Sequence, residues 1–314
     1  EFHGEILIAR HLGKYGVIDR NGNIILDTIY EKIEYLSNPN YLRVTKEGAM
    51  GVVSTDGRVI VPLKYNYIGD MSENLIIVRS GWLYGCYNKE SEMVIPCDYS
   101  SMSEFKNGMT IAGPLEKLGY MNNKGEFIIE PFADEAYHFS DGCARVVVDG
   151  RTGYIDIDGN WVIEPTYDGG GNSSIGIIPV MTNGKFSYIT KDMHVISKVE
   201  YTTAEDFDPE YRVARVSNNN KWGIINEVGR EIIPVQYDIL HILPDGYIYV
   251  EKNKKCGVYT TGGALCFPTK YNRVQYEVGE PLYGAGYITI SSDTEVFRID
   301  KQGNNVYNYS SFSQ

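Results

Sequence analysis

Histidine is a residue type that can bind a metal ion or carry a proton, and this chain of 314 residues has five. A zinc site needs ligands that converge, and close spacings such as HExxH mark one in a sequence. None of the histidines has such spacing: His3, His11, His138, His194 and His241. We therefore expect no metal site and interpret the histidines as surface or hydrogen-bonded polar residues.

Cysteine could supply a nucleophile or a disulfide. The chain has an odd number without CxxC spacing: Cys86, Cys97, Cys143, Cys256 and Cys266. A nucleophilic thiol needs a lowered pKa and a neighbouring base. Buried free thiols are the favoured interpretation, because cysteine packs as a small apolar residue. A disulfide between Cys256 and Cys266, which flank one predicted turn, is the alternative.

One acidic run, DIDGN at Asp156–Asn160, begins like a calcium loop. The same pattern recurs at Asp19–Asn23 and Asn122–Glu126. Asp or Asn before Gly is typical of a tight turn, in which the side chain accepts backbone N–H bonds. The signatures GxSxG, GxxxxGK and GxGxxG do not occur. We expect no catalytic residues, no metal and no cofactor.

Internal periodicity explains the turn pattern and predicts the elements around it. A glycine, here called the anchor, recurs every 34 to 36 residues, with Ser187 in its place in the sixth of eight repeats. The other anchors are Gly16, Gly51, Gly85, Gly119, Gly153, Gly223 and Gly257. Six residues later most repeats have a second glycine, which supplies the positive φ of a hairpin turn.

Further positions of the repeat predict strands. Residues seven and nine before the anchor are mostly apolar, as in Val44 and Leu42 with Arg43 between them, and this alternation indicates a half-buried strand. A proline eleven or twelve residues after the anchor should end the third strand, because proline cannot donate to a sheet. A tyrosine fourteen residues after the anchor should be buried between repeats with its hydroxyl bonded. A fourth short strand can follow that tyrosine.

The three tryptophans fall at different positions of the repeat. Trp82 stands three residues before an anchor, where most repeats have glycine or asparagine, so it should be exposed at a turn. Exposed aromatic residues are enriched in binding sites, which makes Trp82 a candidate binding residue. Trp161 and Trp222 share their positions with apolar residues of other repeats. We expect both in the core.

The connections after the tyrosine vary in length and mix acidic with aromatic residues. Repeat folds commonly present such loops on one rim, where recognition takes place. The candidate binding residues in these loops are Glu205, Asp206, Asp208, Tyr211, Glu277, Glu280 and Tyr283.

The segments KYGVIDRNG, RTGYIDIDG and NKWGIINEVG, followed by VIPCDY, VIEPTYD and IIPVQYD, resemble the bacterial WG repeat, also called the KWG repeat. The resemblance covers nearly the whole chain. It implies a β-propeller-like architecture, a binding or accessory role, and no catalytic residues. Only Trp222 keeps the tryptophan before the anchor, and the sixth repeat, with Ser187 and no proline, departs furthest from the pattern.

We predict an all-β protein with one domain over residues 1–314, made of eight complete repeats and a degenerate C-terminal repeat at 286–314. A β-propeller of eight, alternatively nine, short three- or four-stranded blades is favoured over an open β-solenoid of stacked repeats. Neither end shows a polar capping repeat, and the last repeat could complete the first. The repeats are, however, shorter than the roughly 40 to 45 residues of common propeller blades.

The net charge of −12 opposes binding to nucleic acid or to anionic membranes. No apolar run approaches the roughly 18 residues of a membrane span. We expect a monomeric, non-enzymatic binding or scaffold module that recognises a protein, peptide or glycan through variable loops on one rim. A cell-wall or glycan hydrolase with carboxylates in a central or rim cleft is the alternative.

The sequence begins at Glu1 without a methionine. We therefore expect that a preceding segment has been removed, and an exported or cell-envelope location is favoured over a cytoplasmic one.

Overall fold

The structure is a computed structural model that describes residues 5–197, 199–243, 246–277, 287–293, 295–299 and 305–310. Its strands form nine antiparallel sheets of three or four strands, and within each sheet the strands pair in chain order. The all-β repeat fold is therefore confirmed, whereas the number of blades stays a prediction. In the described ranges, no helix has the length and apolar character needed to cross a membrane.

The first four sheets lie in the N-terminal part of the chain. Sheet one contains β1 (Ile6–His11), β2 (Lys14–Asp19) and β3 (Ile24–Tyr30). Sheet two contains β4 (Lys32–Tyr35), β5 (Tyr41–Lys46), β6 (Ala49–Ser54) and β7 (Val59–Tyr65). Sheet three contains β8 (Tyr67–Ser72), β9 (Leu75–Ser80), β10 (Leu83–Asn88) and β11 (Met93–Tyr99). Sheet four contains β12 (Ser101–Met102), β13 (Met109–Gly113), β14 (Leu118–Asn122) and β15 (Phe127–Ala133).

The remaining five sheets follow the same plan. Sheet five contains β16 (Glu135–Ala136), β17 (Ala144–Val148), β18 (Arg151–Ile155) and β19 (Trp161–Tyr167). Sheet six contains β20 (Gly169–Gly170), β21 (Ile177–Thr182) and β22 (Lys185–Thr190). Sheet seven contains β23 (Thr203–Ala204), β24 (Val213–Asn218), β25 (Lys221–Asn226) and β26 (Glu231–Tyr237). Sheet eight contains β27 (Ile239–Leu243), β28 (Tyr247–Lys252), β29 (Lys255–Thr260) and β30 (Leu265–Tyr271). Sheet nine contains β31 (Arg273–Glu277), β32 (Tyr287–Ser291), β33 (Glu295–Ile299) and β34 (Asn305–Ser310).

The fourth strand predicted after the tyrosine exists, but it belongs to the next sheet. After Tyr30, for example, β4 pairs with β5 and so opens sheet two. Sheet nine includes strands in the region predicted as the degenerate C-terminal repeat, 286–314, with Ile288 and Ile290 buried on β32 and Phe297 half-buried on β33. That repeat assignment stays a prediction. Its expected turn glycine, Gly303, lies outside the described residues.

Contacts divide the chain into two compact units, and the single domain stays a prediction. The first comprises Glu1–His138, Val146–Gly150 and Ile157–Asn160, and the second comprises Phe139–Arg145, Arg151–Asp156 and Trp161–Gln314. Within each, apolar clusters fill the space between consecutive sheets, such as sheets one and two around Leu42 and Val44. From the second repeat on, the residues predicted to alternate on the strand before the anchor are buried, which confirms the strand assignment.

The anchor is glycine because the outer edge strand of the sheet, the third strand of the sequence repeat, bulges towards it. A Cβ added at Gly85 would lie 2.6 Å from the backbone oxygen of Ile95 and 2.8 Å from the nitrogen of Cys97. The pairing of β10 with β11 shifts register at this point. Real Cβ atoms do not approach backbone so closely, so a side chain at the anchor would push the strands apart.

The third strand does not end at its proline, as the sequence had led us to expect. Pro96 lies inside β11, which continues to Tyr99. This strand is the outer edge of its sheet, and Pro96 falls in the bulge, where no ladder partner needs an N–H. The proline therefore marks the bulge.

The sixth repeat has serine in place of the anchor glycine and a less regular sheet. No strand follows β22 in the ladder of sheet six within the described residues, where isolated bridges such as Phe186↔Tyr201 form beside β22 instead. The predicted irregularity of this repeat is confirmed.

The prediction that Trp161 belongs to the core was wrong. Its exposed fraction is 37%, and Ile24, Val59 and Met93 at the same position of other repeats are exposed as well. This position opens the outer edge strand beside the hairpin turn, where no further strand covers it. Trp222 is half-buried and packs against the cluster around Ile224, so it lies at the margin of the core.

The repeated tyrosines are divided between two positions. Tyr65 and Tyr237, fourteen residues after their anchors, are buried as expected, and Tyr65 Oη lies 3.0 Å from Tyr87 Oη. A second set, immediately after the anchor, was missed by the sequence analysis. Tyr120, Tyr154 and Tyr188 are fully buried and donate to backbone carbonyls seventeen residues later, at 2.7 to 2.8 Å.

Candidate functional site

Four of the eight repeats share an ion pair that fastens the turn of the following repeat. Lys117, two residues before an anchor, pairs with Asp134, fifteen residues after it. The other oxygen of Asp134 accepts the N–H of Asp149, in the turn of the next repeat, at 2.7 Å. The same arrangement occurs at Lys14–Glu31 with Gly48, at Arg151–Asp168 with Asn183, and at Lys221–Asp238 with Asn253. We call this arrangement the turn clasp.

The turn clasp shifts the pKa of its carboxylates. Hydrogen bonds from Lys117 and from the N–H of Asp149 hold the pKa of Asp134 below its ordinary value. Asp238 has a lowered pKa for the same reason, through Lys221 and Asn253. The pKa of Glu31 is lowered first by the N–H of Gly48 and then by Lys14. In each case the folded protein favours the charged carboxylate.

Repeats two and three have lost both partners of the turn clasp. Their positions two before the anchor are Ala49 and Leu83, and their positions fifteen after it are Asn66 and Ser100. Asn66 donates to the carbonyl of Gly81 at 3.0 Å, and Ser100 Oγ donates to that of Leu115 at 2.8 Å. The turns they hold are thus fastened by neutral groups.

Those two turns carry exposed apolar side chains. Trp82 has an exposed fraction of 85%, as predicted for a residue at a turn, and Leu115 has one of 79%. Leu83, in place of the clasp's cation, is also exposed. Loss of charge and gain of apolar surface therefore coincide at neighbouring repeats.

A row of aromatic residues crosses sheet three beside the Trp82 turn. Tyr67, Arg79, Tyr84 and Tyr99 lie directly opposite one another on β8, β9, β10 and β11. The Arg79 guanidinium carbon lies 5.5 Å from the centre of the Tyr67 ring and 5.6 Å from that of Tyr84, within cation–π range. We call the row, together with Trp82, Leu83 and Leu115, the Trp82 surface.

The Trp82 surface continues to a groove on sheet four. Ser100, which holds the Leu115 turn, directly follows Tyr99 at the end of the row. Pro114, Leu115, Glu116, Lys117 and Pro131 line a cavity of about 420 Å³. This volume lies within the range of small-ligand and side-chain pockets.

The acidic loop candidates of the second compact unit make internal bonds. Asp206 accepts the backbone and side-chain N–H groups of Asn172 at 2.8 and 3.0 Å. Asp208 accepts the N–H groups of Glu210 and Tyr211 and so caps a turn. Glu205 forms an ion pair with Arg215 at 3.5 Å. Asp208 and Glu205 thus bind within or beside their own loop, and Asp206 joins it to the connection of the preceding repeat.

The remaining candidates are spread over different elements. Tyr211 is half-buried and lines a shallow depression with Val228 and Thr261. Glu277 ends β31, and Glu280 and Tyr283 lie outside the described residues. The structure brings Glu205, Asp206, Asp208 and Tyr211 into one connection, between β23 and β24.

The cysteines have the opposite of nucleophile character. Burial raises the pKa of the Cys86 thiol to about 12 and also raises the pKa of Cys97, Cys143 and Cys266. All five thiols are free, and Cys256 lies 3.2 Å from the Tyr249 hydroxyl. Within the part of the chain that the structure describes, no three His, Cys, Asp or Glu residues are grouped to hold a metal.

The sequence contains a signal for the Trp82 surface that the analysis of single positions missed. Trp82 was found because it departs from glycine at its position. Leu83 and Ser100 stand where other repeats have a charged pair. This joint replacement can be recognised only when the turn clasp is known to join the two positions. Tyr67, Arg79 and Tyr84 were missed because strand register brings them together.

A family model for the WG-containing repeat matches residues 15–48, 50–81, 84–112, 119–151, 153–186, 186–222 and 222–256. The chain is similar to a solved structure described as the eukaryotic initiation factor, at 11% identity and a TM-score of 0.48, covering 97% of this chain and 95% of that one. It is also similar to Hsv2 of Kluyveromyces lactis, at 7% identity and a TM-score of 0.40, covering 83% and 97%. Both are β-propeller proteins. Among curated proteins, no sequence match was found.

Proposed function

The chain belongs to the family of WG-containing repeats, and on that premise we propose that it is a non-enzymatic binding module whose contact site is the Trp82 surface. The partner is a protein, peptide or glycan. The observation that carries the proposal is that the turn clasp is absent where Trp82 and Leu115 are exposed.

Exposure of these side chains is costly unless something covers them in function. Burying a large apolar side chain is worth roughly 1.5 to 3 kcal/mol, and tryptophan, tyrosine and arginine dominate the energetics of interfaces. The Trp82 surface combines Trp82 with Tyr67 and Arg79 on the rigid strands of one sheet. It therefore offers anchor residues that lose little conformational freedom on binding.

The alternative of a glycan hydrolase has no comparable support. Paired carboxylates with separated pKa values would be needed. The loop carboxylates instead accept backbone N–H groups, Asp206 from Asn172 and Asp208 from Glu210. The rim loops stay a secondary candidate for partner contact.

A binding assay with Trp82→Ala tests the proposal. We expect affinity for a captured partner to fall by about thirtyfold, the loss of a strong interface anchor. Leu12→Ala is the matched control, because Leu12 is 90% exposed at a turn of the first repeat, whose own Lys14–Glu31 pair is intact. Equal affinity of Trp82→Ala and the unmodified chain would show that the partner binds elsewhere.

A further inference from the structure

Arg79 lacks the carbonyl and carboxylate partners that three other arginines on strands have. Arg43 donates to the carbonyl of Ile68 at 2.9 Å and pairs with Glu34, and Arg215 pairs with Glu205. Arg145 donates to the carbonyl of Gly170. Arg79 has only the Tyr84 hydroxyl as an acceptor within the described ranges, at 3.3 Å, and its Nε–H, like those of Arg145 and Arg215, is buried without one.

The two tyrosine rings therefore hold a cation that no carboxylate neutralises in the described part of the molecule. A guanidinium prefers two parallel hydrogen bonds to a carboxylate, and such charge-assisted bonds are stronger than those to a hydroxyl. In a chain with a net charge of −12, an arginine left without an acidic partner on a partly exposed aromatic row is a local positive site.

The groups around Arg79 define the rest of the ligand. Asn66 and Ser100 already donate to Gly81 and Leu115. Trp82, Leu83 and Leu115 are exposed apolar side chains, and Pro114 and Pro131 line the adjoining groove together with Glu116 and with Lys117, whose charge is paired with Asp134. A sugar ring brings many hydroxyl groups that need partners, whereas an aliphatic or aromatic side chain needs none.

We propose that the Trp82 surface binds a peptide segment of a partner protein in which an aspartate or glutamate stands beside an aliphatic or aromatic residue. The carboxylate pairs with Arg79, and the apolar side chain packs on Trp82, Leu83 and the Leu115 groove. This inference rests on the proposed binding function and specifies its ligand.

Selection from a displayed library of short random peptides on the full chain tests the inference. We expect the selected peptides to be enriched in Asp or Glu next to Leu, Phe or Trp. For a selected peptide, exchange of the acidic residue for its amide should weaken binding to the unmodified chain by about tenfold. The same exchange should have no effect on binding to Arg79→Gln, because the carboxylate has lost its partner.

Arg79→Lys separates the charge from the planar guanidinium. We expect it to retain a preference for the acidic peptide over its amide, reduced because lysine cannot make the bidentate pair. Urea unfolding of both Arg79 variants shows whether they are folded, and Leu12→Ala serves again as the matched control with unchanged affinity.

The outcomes distinguish the inference from the proposed function. If exchange of the acidic residue for its amide weakens binding to Arg79→Gln as much as it weakens binding to the unmodified chain, the inference is overturned. It is also overturned if no acidic peptide is selected. Binding of an acidic polysaccharide such as alginate through Trp82, without peptide binding, would overturn it and leave the binding function intact. If the selected peptides bind Trp82→Ala unchanged, the proposed site itself is wrong.

Discussion

At the scale of single residues, the two repeated glycines have different structural roles. The anchor glycine gives the backbone of the bulged third strand room to approach, as at Gly85. The glycine six residues later is required for its conformation, with φ of +85° at Gly125 and +84° at Gly159. The anchor glycine is needed for space and the second glycine for its backbone angles. Substitutions at the two positions should therefore distinguish these roles.

We expect Gly85→Ala to lower the free energy of unfolding by about 2 kcal/mol or more, because the new methyl group would meet the carbonyl of Ile95 and the backbone of Cys97. Urea unfolding measures the change. Ser187→Ala, at an anchor position that already has a side chain, is the control and should change stability by less than about 1 kcal/mol. Similar effects at both positions would contradict the role assigned to the bulge.

The sequence predicted well which residues recur in the repeats. It predicted less well which of those residues are buried. Trp161 and Pro96 show why, since each lies on the outer edge strand of its sheet. An apolar residue on an edge strand cannot be distinguished from a core residue in the sequence. The buried tyrosines directly after the anchor, Tyr120, Tyr154 and Tyr188, were missed because each is fixed by a bond to a carbonyl seventeen residues later. That hydrogen bond joins two different elements, and no local sequence pattern predicts it.

At the scale of elements, a turn is shaped by the end of the preceding repeat. Asn66 and Ser100 fasten the Trp82 and Leu115 turns with neutral hydrogen bonds. The clasp of charged residues is exposed elsewhere, and exposed ion pairs contribute only about 0 to 1 kcal/mol. Its loss in repeats two and three therefore costs little stability, which leaves these turns free to serve binding.

The double variant Leu83→Lys with Ser100→Asp restores the clasp in repeat three. We expect its free energy of unfolding to stay within about 1 kcal/mol of the unmodified chain, because the new pair is exposed. Peptide binding should weaken, since a charge replaces apolar contact area. Thermal unfolding and a binding titration measure the two effects, and a loss of stability above about 2 kcal/mol would show instead that Leu83 serves the fold.

At the scale of the whole molecule, the clasps make stability depend on acid. The pKa values of Glu31, Asp134 and Asp238 are lower in the folded protein than their ordinary values. A carboxylate with a lowered folded pKa contributes stability that is fully present above the ordinary pKa of about 4 and is lost as the pH falls through the folded pKa.

We therefore expect the urea midpoint to stay constant from about pH 7 to 5 and to fall as the pH drops below about 4. Unfolding curves across this range measure it. Asp134→Asn removes one of the titrating groups and should make the acid-side decline shallower. A midpoint that rises on acidification would contradict the assigned direction of the pKa shifts.

The sequence predicted the large-scale plan well, because a period of 34 to 36 residues repeated eight times leaves little choice of element order. It predicted Trp82 through a departure from that period. The Tyr67–Arg79–Tyr84–Tyr99 row depends on the pairing of four strands. A one-residue slip of any strand would break it, so it could not be read from composition or spacing.

The last strand of each sequence repeat belongs to the next sheet, as β4 does. This offset has a consequence for the transfer of the binding surface to another protein. Asn66, which fastens the Trp82 turn, comes from the end of repeat two, and Pro131 of the groove comes from the end of repeat four. A single excised repeat would carry Trp82 without the residues that hold its turn. Grafting this specificity onto another protein of the family therefore requires one continuous cassette, from Asn66 to Pro131.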